Sequence, residues 1–126
     1  MIPDELRYST SHEWVRVDDD LATIGITDHA QSELGDVVYL ELPRVGAAIQ
    51  AGVVFGTIES VKTVSDLVSP VGGEIVEVNE DLPDTPELVN EEPYAGGWMI
   101  IVKMESAGEV EDLMTAEEYE RFIQEH

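Results

Sequence analysis

Lys62 is one of only two lysines in the chain, and it stands in the run Gly56-Thr-Ile-Glu-Ser-Val-Lys-Thr-Val-Ser-Asp-Leu-Val-Ser-Pro70. Flanking Glu59 and Asp66 keep its surroundings polar, so its amine is expected to stay solvated, protonated and poorly nucleophilic unaided. Schiff-base chemistry, which needs a desolvated lysine, is disfavoured. An exposed amine at a lysine-poor position suits a different purpose, acylation by another enzyme. From these residues alone an ordinary solvated surface lysine is the commoner explanation. Other chemistries find less support. There is no cysteine for a thiolate nucleophile, disulfide or thiolate metal site. His12 and His29 have no third ligand at metal-like spacing, so no metal site is expected. His29 reads as a polar residue on a short helix, and no nucleophile, base and orienting residue can be assembled into a catalytic set.

The elements around Lys62 follow from local sequence. Thr57, Ile58, Val61, Thr63 and Val64 are β-branched and favour extended backbone, while Gly56 and Pro70 punctuate the ends. The simplest shape is a hairpin with Lys62 at or near its tip. Val61-Lys62 lacks the Gly or Asn of a two-residue primed turn, which points to a type I turn or a bulged loop. Upstream, Trp14, Val15 and Val17 read as a first strand, Asp18-Asp19-Asp20 as a turn and Leu21–Ile26 as a second strand. Thr27 or Asp28 is expected to cap a brief helix through Leu34, stopped by Gly35. Asp36–Leu42 reads as a strand buried for much of its length and closed by Pro43. Gly46 and Gly52 bracket a turn-rich segment. Glu74-Ile75-Val76-Glu77-Val78, opened by Gly72-Gly73, suggests one wet and one dry face. Pro86–Asn90 is expected to form a helical turn with its proline early, and Trp98–Met104 a core strand with Lys103 at its end. Thr115 and Glu118 spell a capping box for a C-terminal helix over about 115–124, with Tyr119, Phe122 and Ile123 at helical spacing. Short strands with frequent turns imply a mainly β sandwich or barrel.

At 126 residues the chain is expected to be one domain, 1–126, with its β core over about 8–104. Its 43% hydrophobic content fits a folded protein despite the charge. No apolar run approaches the roughly 18 residues of a membrane span, and the start Met1-Ile2-Pro3-Asp4-Glu5 lacks the pattern of a secretory signal, so a cytoplasmic location is expected. The net charge of −22 opposes binding to nucleic acid or to anionic membrane. Two explanations for it stay open: steering toward basic faces of partner proteins, and adaptation to a saline, halophilic cytoplasm.

Glu59-Ser60-Val61-Lys62-Thr63-Val64-Ser65-Asp66, followed by Ser69-Pro70 and Gly73-Glu74-Ile75, resembles the lipoyl attachment signature of the glycine cleavage system H proteins. Ser11-His12-Glu13-Trp14-Val15, Gly25–Gln31, Leu34–Val38, Glu41-Leu42-Pro43, Val78-Asn79-Glu80, Leu88-Val89-Asn90, Pro93-Tyr94 and Gly97-Trp98 agree in order, so the likeness runs from about residue 8 to residue 123. The resemblance implies a lipoyl-domain-like flattened barrel, a barrel-sandwich hybrid with short helices and a C-terminal α-helix. It implies lipoate as cofactor, covalently bound at Lys62, on a non-catalytic carrier. The partners implied are glycine decarboxylase, aminomethyltransferase and dihydrolipoyl dehydrogenase (the P, T and L proteins) together with a lipoylating enzyme, and a monomeric state. The decarboxylase would load an aminomethyl group with reduction of the lipoyl disulfide, the transferase would pass the carbon to tetrahydrofolate and release ammonia, and the dehydrogenase would reoxidise the dithiol. Lysine plus lipoyl chain reaches on the order of 14 Å from bond lengths alone. The resemblance further places Ser11, Glu13 and Asp66 in a cleft sheltering the loaded arm, and gives Glu59 and Gly73 to recognition by the lipoylating enzyme. Each cleft residue reads equally as a solvated polar side chain, and Gly73 equally as a backbone requirement. Within carriers the alternatives are a lipoyl or biotinyl domain of a larger complex, disfavoured by Val61 and Thr63 where biotinyl lysines have methionines, and a stand-alone lipoyl relay in another pathway.

Overall fold

The computed structural model describes residues 2–125; Met1 and His126, the ends of the expected 1–126 span, lie outside the described residues. Two antiparallel sheets enclose the main core. Among the described residues nine strands follow in chain order: β1 Arg7–Tyr8, β2 Glu13–Asp18, β3 Leu21–Ile26, β4 Val37–Glu41, β5 Ala48–Ile49, β6 Val54–Ser60, β7 Val64–Val68, β8 Gly73–Val78 and β9 Ile100–Met104. The larger sheet has the order β1-β2-β3-β9-β8-β5 and the smaller β4-β6-β7. Val15, Ala22, Ile24, Ile75, Ile100 and Val102 from the first meet Val37, Leu40, Phe55, Ile58 and Leu67 from the second in one buried cluster. Burial of such side chains, each contributing about 1.5–3 kcal/mol, drives the two sheets together. The expected mainly β, flattened barrel-sandwich fold is the one observed.

Local expectations hold where local chemistry decides. The β2–β3 hairpin turns at Asp19, whose φ is 55°. Helix α1, Asp28–Leu34, is capped by the Thr27 side chain, which accepts the Ala30 N–H, and ends at Gly35 with φ 81°. The capping box is formed in both directions, Thr115 N–H to Glu118 at 2.9 Å and Glu118 N–H to Thr115 at 3.2 Å, and starts α3, Ala116–Glu125. This helix docks through a second cluster containing Leu6, Tyr8, Trp14 and Tyr119.

Four expectations need correction. Strand β4 is not largely buried: Val38 and Tyr39 are 47% and 52% exposed, because β4 is an edge strand and only Val37 and Leu40 point into the core. The clean alternation in β8 fails after Ile75, where a register shift against β9 leaves both Val76 and Glu77 outside; a bulge resets the face. The helical turn α2 spans Leu88–Glu91 and starts two residues after Pro86. Strand β9 begins at Ile100, leaving Trp98 and Met99 in the approach to it.

Candidate functional site

Strands β6 and β7 pair up to Glu59 and Val64, and the Ser60 N–H donates to the Thr63 carbonyl at 2.8 Å. Val61 and Lys62 are thus the two loop residues. The Ser60 hydroxyl oxygen accepts the N–H groups of Lys62 at 3.1 Å and Thr63 at 3.2 Å, so a serine side chain closes the turn. Among the described residues only His12 and Asp19 are non-glycine positions with positive φ, so the loop is not a primed turn, as Val61 requires.

The tip is fastened to the body of the protein. Val61 N–H donates to the Asp36 carbonyl at 3.0 Å. The Lys62 side chain lies over Gly35: a Cβ there would sit 3.0 Å from Lys62 Cε and 3.7 Å from Nζ. Gly35 thus combines a left-handed backbone with a surface flat enough to seat the lysine stem. Asn90, on α2, holds that seat from behind. Its Oδ1 accepts the Val37 N–H at 2.8 Å, and its Nδ2 donates to the Gly35 carbonyl at 2.8 Å and to Gln31 Oε1 at 3.0 Å. Lys62 itself is exposed, and among the described residues no carboxylate forms an ion pair with it.

Along β7 from this tip, Asp66 lies four residues from Lys62, roughly 13 Å at about 3.3 Å per strand residue. There a cleft of about 160 Å³ opens, walled by Ser11, Glu13 and Asp66 together with His12, Glu33 and Leu67. The three residues singled out from sequence are therefore brought together, though Glu13 is in the larger sheet, Asp66 in the smaller and Ser11 in the turn before β2. Ser11 and Asp66 are exposed. Glu13 is not a solvated side chain; it is 1% exposed. Its Oε1 accepts the hydroxyls of Ser11 at 2.5 Å and Ser9 at 2.8 Å, and its Oε2 accepts the Val68 N–H at 3.2 Å. Burial pushes the Glu13 carboxyl above the usual carboxylate range, while the bonds from Ser11, Ser9 and Val68 pull the other way. A larger groove of about 280 Å³ shares Ser11 with it but contains neither Glu13 nor Asp66, so the smaller cleft is the better candidate.

The two positions linked with recognition part company. Glu59 is exposed beside the tip, between Tyr39 and Val64 of neighbouring strands. Gly73 is buried between β5 and β9, and a Cβ on it would collide with the Lys103 carbonyl oxygen. Close backbone approach gives Gly73 a structural reason of its own, and the exposed side chain next to it is that of Glu74. Sequence reasoning missed His12, Glu33 and Asn90. The first two join the cleft only because a left-handed turn at His12, φ 72°, and helix α1 converge on it, and no short-range pattern encodes that.

A family model described as Glycine cleavage H-protein matches residues 6–126. The chain is 60% identical over 124 residues to the glycine cleavage system H protein of Bacillus subtilis (strain 168), with 98% of each chain covered. It is 57% identical over 124 residues to the protein of that name from Rubrobacter xylanophilus, covering 98% of this chain and 96% of the relative. Among solved structures, a glycine cleavage system H protein from Mycobacterium marinum superposes with a TM-score of 0.91 at 39% identity, covering 98% of this chain and 99% of the other.

Proposed function

The chain belongs to the glycine cleavage H-protein family, and from that premise we propose that it is a lipoyl carrier whose Lys62 bears lipoate in amide linkage. The single observation that supports this most is the tip itself: an exposed amine on a two-residue loop, tied down through Val61 and Asp36 and resting on Gly35. When bound, the lipoyl group would supply a disulfide able to accept an aminomethyl group and two electrons. What the protein contributes is placement. Ser60 and Asp36 hold the loop in one shape, so the amine is offered in a fixed direction. Glu59, exposed beside it, and Gly73, through the backbone shape it permits between β5 and β9, are the positions proposed to be read by the lipoylating enzyme.

Ser11, Glu13 and Asp66 serve, in this reading, as the shelter for the loaded arm. Exclusion of water by a walled cleft protects a hydrolysis-prone group. Asp66 offers an exposed carboxylate to a protonated amine, whereas Glu13 spends its acceptors on Ser9, Ser11 and Val68 and so shapes the wall. The chain is a substrate passed among glycine decarboxylase, aminomethyltransferase and dihydrolipoyl dehydrogenase, and is not itself a catalyst. We place it in the cytoplasm as a single-domain monomer; among the described residues no helix is long and apolar enough to cross a membrane. Intact and peptide mass spectrometry after expression with lipoate and a lipoylating enzyme tests the reading. One lipoyl increment on the Lys62 peptide, lost in Lys62→Arg, is the expected result. A protein that stays unmodified beside a control H protein that is modified overturns it.

A further inference from the structure

The C-terminal helix looks from sequence like a structural cap and nothing more, yet it reaches the cleft. Tyr119 of α3 is fully buried, with its ring stacked on Tyr8 at 4.7 Å. Its Oη lies 2.7 Å from Thr27 Oγ1 and 2.8 Å from His12 Nδ1. The direction of these two bonds follows from counting donors. Thr27 Oγ1 accepts the Ala30 N–H as the cap of α1 and is 0% exposed. Among the described residues the acceptor within reach of its own proton is Tyr119 Oη. A hydroxyl buried without an acceptor is costly, so Thr27 donates to Tyr119. Tyr119 in turn donates to His12 Nδ1, and a neutral His12 must then carry its proton on Nε2.

We propose that Thr27, Tyr119 and His12 form a directed hydrogen-bond relay that holds His12 as the uncharged Nε2–H tautomer on the cleft wall, which makes Tyr119 a positioning residue for the loaded arm. This rests on the carrier reading for its purpose, though not for its existence. The groups facing His12 are His29 and Glu33 of α1 and Tyr119 and Phe122 of α3, with Asp66 of β7 across the cleft. Burial lowers the pKa of His12, proximity to His29 lowers it further, and Glu33 opposes both. Two histidine rings 4.9 Å apart disfavour two positive charges. A neutral imidazole leaves Asp66 and Glu33 to meet a protonated amine without a competing cation beside them.

Long-range proton–nitrogen correlation NMR on the unmodified protein is the first test, and should show neutral His12 with a bare Nδ1 and a protonated Nε2. Tyr119→Phe, which keeps the stacked ring, is expected to release the lock and populate both tautomers, while Thr27→Ser, which keeps the donor, retains the original spectrum. In the lipoylated, aminomethyl-loaded protein Tyr119→Phe should shorten the lifetime of the loaded arm about fivefold at neutral pH, the factor equivalent to one hydrogen bond of about 1 kcal/mol. A proton found on Nδ1 in the unmutated protein overturns the relay, and an unchanged arm lifetime overturns its service to the cleft. Absence of lipoate from Lys62 would sink the carrier reading alone, since the tautomer is read on the unmodified chain.

Discussion

The carboxylate of Glu13, on β2 of the larger sheet, accepts the backbone N–H of Val68, on β7 of the smaller sheet, at 3.2 Å. One side chain therefore bridges the layer that carries the lysine hairpin and the layer that carries Ser11. Glu13→Ala would leave the Val68 N–H and two serine hydroxyls without their acceptor. A loss of about 1–3 kcal/mol is expected, seen as a melting temperature lower by roughly 4 °C for each kcal/mol in a domain of this size. An unchanged melt would mean that water replaces the bridge at no cost.

The same carboxyl gives the protein a signed response to pH. Its folded pKa is raised above the ordinary value of 4.5, chiefly by burial. The folded state thus keeps this proton to higher pH than the unfolded chain does. The contribution is complete below the unfolded pKa and is lost as pH rises through the folded one. Stability of the unmutated protein relative to Glu13→Gln, which cannot titrate, should fall as pH rises above the ordinary carboxyl value of 4.5. Urea unfolding at a series of pH values measures it, and a relative stability that climbs with pH would reverse the assignment.

Asn90 offers a way to disturb the seat of Lys62 without touching the hairpin. Asn90→Ala removes the acceptor for Val37 N–H and the donor to Gly35, at an expected cost of about 1–3 kcal/mol. Hydrogen exchange should report the damage where it matters. The Val61 amide, bonded to the Asp36 carbonyl, is expected to lose protection out of proportion to the amides of β9. Uniform loss across both would make Asn90 a general brace and not a support of the tip.

Charge is the remaining lever. With a formal −22 on 126 residues, self-repulsion opposes the compact state. Raising salt from about 0.1 M to about 1 M shortens the screening length from about 10 Å to about 3 Å. The melting temperature is expected to rise as potassium chloride is taken to molar levels. A flat or falling trend would remove adaptation to salt as an explanation and leave electrostatic steering toward basic partners.

How far the sequence could be read depended on the range of the interaction. Caps, turns and the hairpin are set by neighbours within four residues, and there Thr27, Gly35, Thr115 and Glu118 behave as their types dictate. Lys62 at the tip was legible for the same reason. What the sequence hid is tertiary. The exposure of Val38 and Tyr39 depends on β4 being an edge strand, and the burial of Glu13 on where β7 passes. The role of Tyr119 as a hydrogen-bond partner of two residues about a hundred positions away has no local signal whatever. Ser11, Glu13 and Asp66 were gathered by resemblance, since nothing in their spacing announces that β2 and β7 face one cleft.

Because the Val61 amide is already engaged and the Lys62 stem already has a bed on Gly35, this loop has surrendered most of its freedom before any enzyme approaches. A visitor need not freeze a wandering segment to grip it. Recognition can then be quick and shallow, which would suit the carrier role proposed for this chain, readily caught and as readily let go.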